Sequence, residues 1–464
     1  MGGPGFAGGR WAWARRCVVL VAVVLSGGWA VSLGGSGPGR ADAAAPAQAS
    51  AQTPIKHVVI ILKENRSFDE YFGKFPGANG ATQGTMSNGQ VVQLAQTPDP
   101  MPNDIGHTPE DWKRAYDGGK MDGFDREAGA FSSSGKNLAY TQMSQSTIPN
   151  YWAYAQTYDL GDNMFAPWKG GSFPNNVFSV AAQSGQYDAS LGGRWMYASV
   201  PKSPTVFPLN AWGCDTPPDT LETMIDAAGV KSGAYPCFGF QALPNVLAEN
   251  GVSWKYYGDA SDGRVFTHNG LDAIGPVRND PSLWSNVVSD TTFTTDASSG
   301  NLPAVSWVIG RQLEHPLNTT CAGENETVRY VNAIMNGPDW SSTAIFVYWD
   351  EWGGFYDHVA PRQVDGVSYG FRVPLLIISP YTKHGKSANG GSISHTFFTH
   401  LSPLKFIEDN WGLPSLTPKD AAANDMMGAF NFTGTQRPAL IRQQRTCPKL
   451  TAAQRAVVAS SDPD

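Results

Sequence analysis

The chain has 464 residues, of which 41% are hydrophobic and 16% charged, with a formal net charge of −7. That apolar content is ample for a core and excludes disorder as the default state, while the acidic balance argues against nucleic acid as a partner. The length allows one large α/β domain with insertions or two to three average domains, and 51 Gly and 33 Pro raise the expected loop fraction.

At the N-terminus, Arg10, Arg15 and Arg16 precede the apolar run Cys17 to Leu25, and small residues follow. The pattern predicts a signal peptide and leader over residues 1–48, cut between Ala43 and Ala49, for export by the general secretory or the twin-arginine route. Apolar character lapses at Ser26-Gly27-Gly28, short of the roughly twenty residues a span needs, so no stable transmembrane anchor is expected. Removing residues 1–44 takes away four basic residues and one acid, leaving a mature charge of −10.

The first strand signal is Val58 to Leu62, an apolar, β-branched run that stops at Glu64-Asn65 in KENRSFDEYFG. Residues Gly77 to Lys136 are rich in Gly, Pro, Ser and Asn and read as an insertion carrying His107. In WKGGSFPNN, Gly170-Gly171 precede Ser172 and a helix is expected from near Pro174. A capping serine is the simpler reading of that segment alone. Placed at a helix N-terminus, the same hydroxyl would suit nucleophilic attack on a phosphate. A second insertion is expected from Tyr187 to Gly233.

Further strands are predicted at Ala304 to Ile309, Ala344 to Val347 and Val373 to Ile378, and helices at Glu326 to Met335 and Ser402 to Asp409. The Ala344 run ends on Asp350-Glu351, in the loop that closes with His358. His315 opens a loop before the first of these helices, and His395 and His400 precede the second. This order argues for a parallel or mixed sheet covered on both faces. Ligands of open α/β sheets sit beyond the carboxyl ends of the strands, so Glu64-Asn65 and Asp350-Glu351 are expected to meet in one crevice at a metal. After cleavage Cys214, Cys237, Cys321 and Cys447 remain. An even count in an exported chain suggests two disulfides with three possible connectivities, of which Cys214 with Cys237 and Cys321 with Cys447 is the most economical.

A Gly-rich loop ending in Gly-Lys-Ser/Thr and an HExxH motif are missing from the sequence, which sets aside P-loop nucleotidases and common zinc peptidases. A secreted binding protein with a structural calcium site and a metal-independent glycosidase remain as readings from other classes.

Taken together, ENRSFDEYFG, HTPEDW through GGKMDGF, GGSFPNN, HP through GEN, WDEWGGFYDHV, YGFRVPLLIISPY and HTFFTH resemble, in that order, a bacterial phosphoesterase family. That family contains phosphatidylcholine-hydrolysing phospholipases C and a metal-dependent acid phosphatase, and is related to the alkaline phosphatase superfamily. The resemblance runs from about His57 to Phe432. It implies a three-layer α/β/α sandwich with a mostly parallel sheet and loop-rich insertions, the catalytic domain spanning 49–436 and a tail 437–464. It also implies one or more divalent metal ions held by Glu64, Asn65, Ser172, Asp350 and Glu351, with Ser172 as nucleophile. His107 and His315 would contact the phosphoryl group, His315 being the proton donor, and Asn175, His358, His395 and His400 fall on motif positions expected to face the substrate. Asn175-Asn176 stands where many members read Asn-Arg, which puts the substrate in doubt more than the chemistry. The implied substrate is a phospholipid, or alternatively a small phosphomonoester, met with transient membrane-surface contact. Trp112, Trp168, Trp195, Tyr197 and Trp212 are candidates for a cation-π cage around a choline.

Overall fold

The apolar run after Ile55 becomes the centre of the molecule: strand β1 (His57–Lys63) has six of its seven residues buried and pairs in parallel on both sides. In this computed structural model residues 49–188, 194–200, 213–219, 221–226, 230–258, 269–312, 314–364, 367–452 and 454 are described. The leader, Trp212 and the end of the tail lie outside them, as does the proposed cleavage site before Ala49.

Eight further strands complete the main sheet: β2 (Asp159–Phe165), β3 (Trp254–Gly258), β4 (Val287–Ser289), β5 (Val305–Val308), β6 (Thr343–Trp349), β7 (Arg372–Ile378), β8 (Ser392–Ser394) and β9 (Phe398–Thr399). Their order is β4-β3-β5-β1-β6-β7-β2-β8, with β9 also pairing β2. Only β7 runs against the rest, so the sheet is mixed but mostly parallel, with helices on both sides, as expected of an α/β/α sandwich. Strands read at 58–62, 304–309, 344–347 and 373–378 all form.

β2 was not foreseen, because DLGDNMF carries Asp159, Asp162 and Asn163 and does not read as a buried strand. Tertiary partners make it one. The Asp162 carbonyl accepts from Arg372 Nη1 at 2.7 Å and its carboxylate accepts from Asn79 N at 2.8 Å. A Cβ at Gly161 would stand 2.7 Å from Leu375 Cδ2, so only glycine lets β7 pack there.

The helices that matter for the site are α1 (Phe68–Phe72), α2 (Pro109–Tyr116), α3 (Pro149–Thr157), α4 (Ser172–Ala181), α5 (Thr320–Asn336) and α6 (Leu401–Trp411). The two expected at 326–335 and 402–409 form as α5 and α6, each longer than its periodic core. The first insertion builds its own apolar cluster, in which Ile105, Trp112, Met121 and Phe124 pack on Trp352 and Phe371. This fixes the loop of His107 against the loop that follows β6. The second insertion lies within an antiparallel four-stranded meander from Gly185 to Ala234.

Disulfides join Cys214 to Cys237 and Cys321 to Cys447. The second anchors the tail, which follows α5: Asn332 Nδ2 donates to Arg442 O at 2.7 Å and Asn325 Nδ2 to Arg445 O at 2.8 Å. No helix among the described residues is long and apolar enough to cross a membrane.

Several carboxyls are buried deeply enough for burial to raise their pKa: Asp357 to about 6, Asp159 and Glu324 to about 7, Glu70 and Glu408 to about 8. The unfolded chain releases these protons near pH 4, as a rough reference. Between those values the folded protein binds more protons than the unfolded one, so this contribution is full at low pH and is lost as pH rises from about 4 to about 8. His358 acts in the same sense. Burial alone would lower its pKa, but the hydrogen bond and charge of Asp69, helped by Asp357, raise it. The urea midpoint of metal-stripped protein is therefore expected to fall between about pH 5 and pH 8; a midpoint that rises over this interval would show that these acids ionise freely in the fold.

Candidate active site

Because Lys63 pairs with Trp349 at the ends of β1 and β6, the next residues of each strand leave the sheet side by side. Asp350 N donates to Lys63 O at 2.9 Å and Arg66 N to Glu351 O at 2.9 Å. Asn65 takes a left-handed conformation, φ 59°, which asparagine tolerates better than most residues. Its amide donates to Asp350 Oδ1 at 2.9 Å, an oxygen that also accepts from Glu351 N at 2.7 Å. Gly353 N donates to both oxygens of Glu351, at 3.0 and 2.9 Å.

The two loops touch where Gly353, φ 63°, lies on Asn65, and a Cβ there would sit 2.4 Å from Asn65 O. Gly353→Ala is expected to push the loops apart. A displacement of about 1 Å costs on the order of a hundredfold in rate, to be read as kcat/KM against the change in melting temperature. Wild-type turnover in the variant would show that loop spacing does not matter.

Helix α4 starts at Ser172, with Gly171 in the capping position and no side-chain cap. This corrects the expectation of a helix starting near Pro174 and of a capping serine. The hydroxyl turns the other way, donating to Glu64 Oε2 at 3.0 Å and lying 3.5 Å from Asn65 Oδ1. Gly170 and Gly171 make this possible: both have positive φ, Gly171 N donates to His107 O at 3.2 Å, and a Cβ on Gly170 would stand 2.7 Å from that same carbonyl.

Asn175 is turned to the backbone. Trp168 N donates to its Oδ1 at 3.0 Å and its Nδ2 donates to Gly171 O at 2.8 Å. It clamps the loop that presents Ser172.

His107 and His315 come together, ring centroids 6.1 Å apart. His107 Nδ1 donates to Ile105 O at 2.6 Å, leaving Nε2 to accept from Asn65 Nδ2 at 3.4 Å. That pairing points the Asn65 carbonyl oxygen at Ser172. His315 Nε2 lies 3.8 Å from Asp104 Oδ2, and Asp104, His107 and His315 form one compact group of metal-type ligands.

The other three histidines are placed elsewhere. His358 Nδ1 bonds Asp69 Oδ2 at 2.6 Å in the network of Arg372, whose Nε donates to Asp357 Oδ1 at 2.9 Å. His395 bonds Asp162 Oδ2 at 2.8 Å. His400 is buried between Trp349 O, at 3.0 Å, and Asn175 O, at 3.4 Å, and burial lowers its pKa to about 4. It braces the end of β6 against α4 as a neutral ring. Each of the three thus has a protein partner of its own.

Glu64, Asp350 and Glu351 are each 1% exposed or less. Asp350 Oδ2 receives no hydrogen bond of ordinary geometry. Burial first, then the charges of Glu64 and Glu351, push the Asp350 carboxyl well above its usual range, against the pull of Ser172 and the Asn65 amide. Three buried acids at the ends of β1 and β6, one of them with an orphaned oxygen, fit a cation held by Glu64, Asn65, Asp350 and Glu351.

Sequence reasoning missed two supports. Arg66, buried, donates from Nη1 to Asn65 O at 2.7 Å and stacks 5.0 Å over Phe355. Glu314, with φ 78°, accepts from Tyr71 Oη at 2.6 Å and Trp349 Nε1 at 3.2 Å, anchoring the loop of His315. Its place directly before His315 was the available signal. The aromatic cage also needs correction. Trp112 and Trp168 are buried, at 5% and 0% exposure, and Lys169 Nζ lies 5.9 and 5.5 Å from their ring centroids. Trp195 and Tyr197 fall on a meander strand whose side chains are not described.

A hydroxyl held against a carboxylate at the start of a helix, among acids that call for a cation, is the equipment of phosphoryl transfer. The chain is a hydrolase acting on phosphate esters. It belongs to the Phosphoesterase family, whose profile matches residues 55–414. Phospholipase C B of Mycobacterium tuberculosis is 27% identical over 489 residues, an alignment covering 91% of this chain and 86% of that one. Non-hemolytic phospholipase C of Burkholderia pseudomallei is 27% identical across 82% of this chain and 59% of its own length. Among solved structures, a protein in the alkaline phosphatase superfamily from Vibrio parahaemolyticus aligns with 83% of this chain at 12% identity and a TM-score of 0.32.

Proposed function

We propose that this is an exported, metal-dependent phosphoesterase working through a phospho-serine at Ser172, with phospholipase C action on phosphatidylcholine-type lipids. The observation that carries it is the Ser172 hydroxyl donating to Glu64 among three buried acids. The phospholipase C relatives support the lipid substrate, and two disulfides support an oxidising compartment. Residues 49–436 would form the catalytic domain and 437–464 a tail.

A divalent ion at Glu64, Asn65, Asp350 and Glu351 would neutralise phosphoryl charge and make the neighbouring hydroxyl more acidic. The residues do the rest. Ser172 Oγ passes its proton to Glu64 Oε2 and bonds to phosphorus as the bond to the alcohol oxygen breaks. Protonated His315 gives that oxygen its proton, a transfer worth roughly a hundred to ten thousandfold. Asp104 Oδ2 lies 3.8 Å from His315 Nε2. In the second half, His315 takes a proton from water, whose oxygen bonds to phosphorus while the Oγ bond breaks and Ser172 recovers its proton from Glu64.

The test is turnover of p-nitrophenylphosphorylcholine and of p-nitrophenyl phosphate, each with a metal-stripped control. Metal-dependent preference for the choline diester supports phospholipase C action. Preference for the monoester makes the enzyme a phosphomonoesterase, and activity that survives exhaustive metal removal rejects the mechanism. A specific observation favours the monoester: the ammonium of Lys169 beside the tryptophans.

A further inference from the structure

Lys169 stands three residues before Ser172, so the two α-carbons are within about 11 Å of one another. Gly170 and Gly171 between them are pinned to the carbonyl of His107. Two residues beyond His107, α2 begins and carries Trp112. The wall that presents Ser172 and His107 is therefore the wall on which the Lys169 ammonium rests, 5.5 Å from the Trp168 centroid and 5.9 Å from that of Trp112. These are the distances at which a ring attracts a cation. Both rings are otherwise enclosed: Trp168 is 0% exposed, and Trp112 stacks on Tyr116 at 4.7 Å and on Phe371 at 5.7 Å. A substrate reaching this corner meets an ammonium, not a bare aromatic face.

The surrounding charge has the same sign. Glu110 and Lys113, on the first turns of α2, are the charged groups that Lys169 feels. Glu110 is engaged by Lys231 of the meander, at 2.8 Å. Lys169 thus shares this corner with Lys113, Lys231 and one glutamate, in a chain whose net charge is −7.

We propose that Lys169 is a specificity-determining residue: its ammonium, with Lys113 and Lys231, adds positive charge beside the nucleophile and raises turnover of phosphate esters carrying a second negative charge relative to choline esters. That charge belongs either to a phosphomonoester dianion or to an anionic headgroup. The proposal rests on Ser172 marking the phosphoryl site.

The experiment compares wild type, Lys169→Met and Lys169→Arg in kcat/KM on p-nitrophenyl phosphate against p-nitrophenylphosphorylcholine, and on phosphatidylglycerol against phosphatidylcholine vesicles. Lys169→Met keeps the apolar stem and is expected to shift at least one anionic-to-choline ratio toward choline by about tenfold, the size of one moderately screened charge pair. Lys169→Arg is expected to stay within about twofold of wild type, since it keeps the charge. A shift confined to the first pair assigns the second charge to the phosphate, and one confined to the vesicles assigns it to the headgroup. Equal losses on every substrate, or unchanged ratios, overturn the proposal. Binding of inorganic phosphate and of phosphocholine to Ser172→Ala protein, with and without Lys169→Met, separates the two readings. Turnover that survives Ser172→Ala removes the nucleophile, while a phosphate preference that Lys169→Met abolishes still upholds the lysine. Dead Ser172→Ala protein whose preference ignores Lys169→Met removes the lysine alone.

Discussion

Ser172→Ala is expected to lower metal-dependent kcat by about four orders of magnitude or more, because the change removes the proposed nucleophile. Its hydroxyl is the group donating to Glu64 at 3.0 Å, and no side-chain cap at the start of α4 depends on it. The melting temperature should therefore move little. Intact-mass measurement after a rapid acid quench should show a phosphate adduct on the wild type and none on the variant. Turnover within tenfold of wild type, or an adduct that persists in the variant, would move the covalent step to another residue.

Asp350→Asn is the second large effect, and it separates catalysis from stability by sign. With metal present, turnover is expected to fall by about a thousandfold, since one of the charged groups proposed to hold the ion is lost. Without metal the same change is expected to stabilise. The Asp350 carboxyl is buried against Glu64 and Glu351, and its folded pKa is raised well above the usual value. Its contribution to stability is therefore full at low pH and is lost as pH rises above about 4. An uncharged amide escapes that loss. Metal-stripped Asp350→Asn should melt above metal-stripped wild type near neutral pH, the difference shrinking toward acid. Added divalent metal should raise the melting temperature of the wild type alone, by mass action on the folded state. A variant that is less stable than wild type when both are stripped would mean that Asp350 holds the loops by hydrogen bonding more than it repels its neighbours.

The ends of β1 and β6 were legible because an apolar run and its abrupt stop at Glu64 or Asp350 are properties of consecutive residues. Parallel pairing then brings those ends together whatever lies between them. Both disulfides were legible from count and compartment. Less could be read where a residue's role is set by its partner. Asn175, His358, His395 and His400 sit in motifs that look alike from the sequence, yet the structure commits them to Gly171 O, Asp69, Asp162 and Trp349 O respectively. β2 was hidden because its acids mask the strand pattern, and only the neighbouring strand β7 brings Arg372 to the Asp162 carbonyl.

What the order of residues determined was the strands, the acids that end them, the glycine pair before Ser172 and the even set of cysteines, since each depends on neighbours within a few positions. Only the tertiary structure decided where the side chains point. Arg372 meets Asp69 from 303 positions away, and the turn of Ser172 toward Glu64 spans 108. Lys169 stands three residues from Ser172, but its partner Trp112 comes from α2, so the sign of charge there emerges only when that helix packs against the loop. Local propensity specifies a backbone; ion pairs, hydrogen bonds and cation-π contacts are fixed by distances that exist only after the chain has folded.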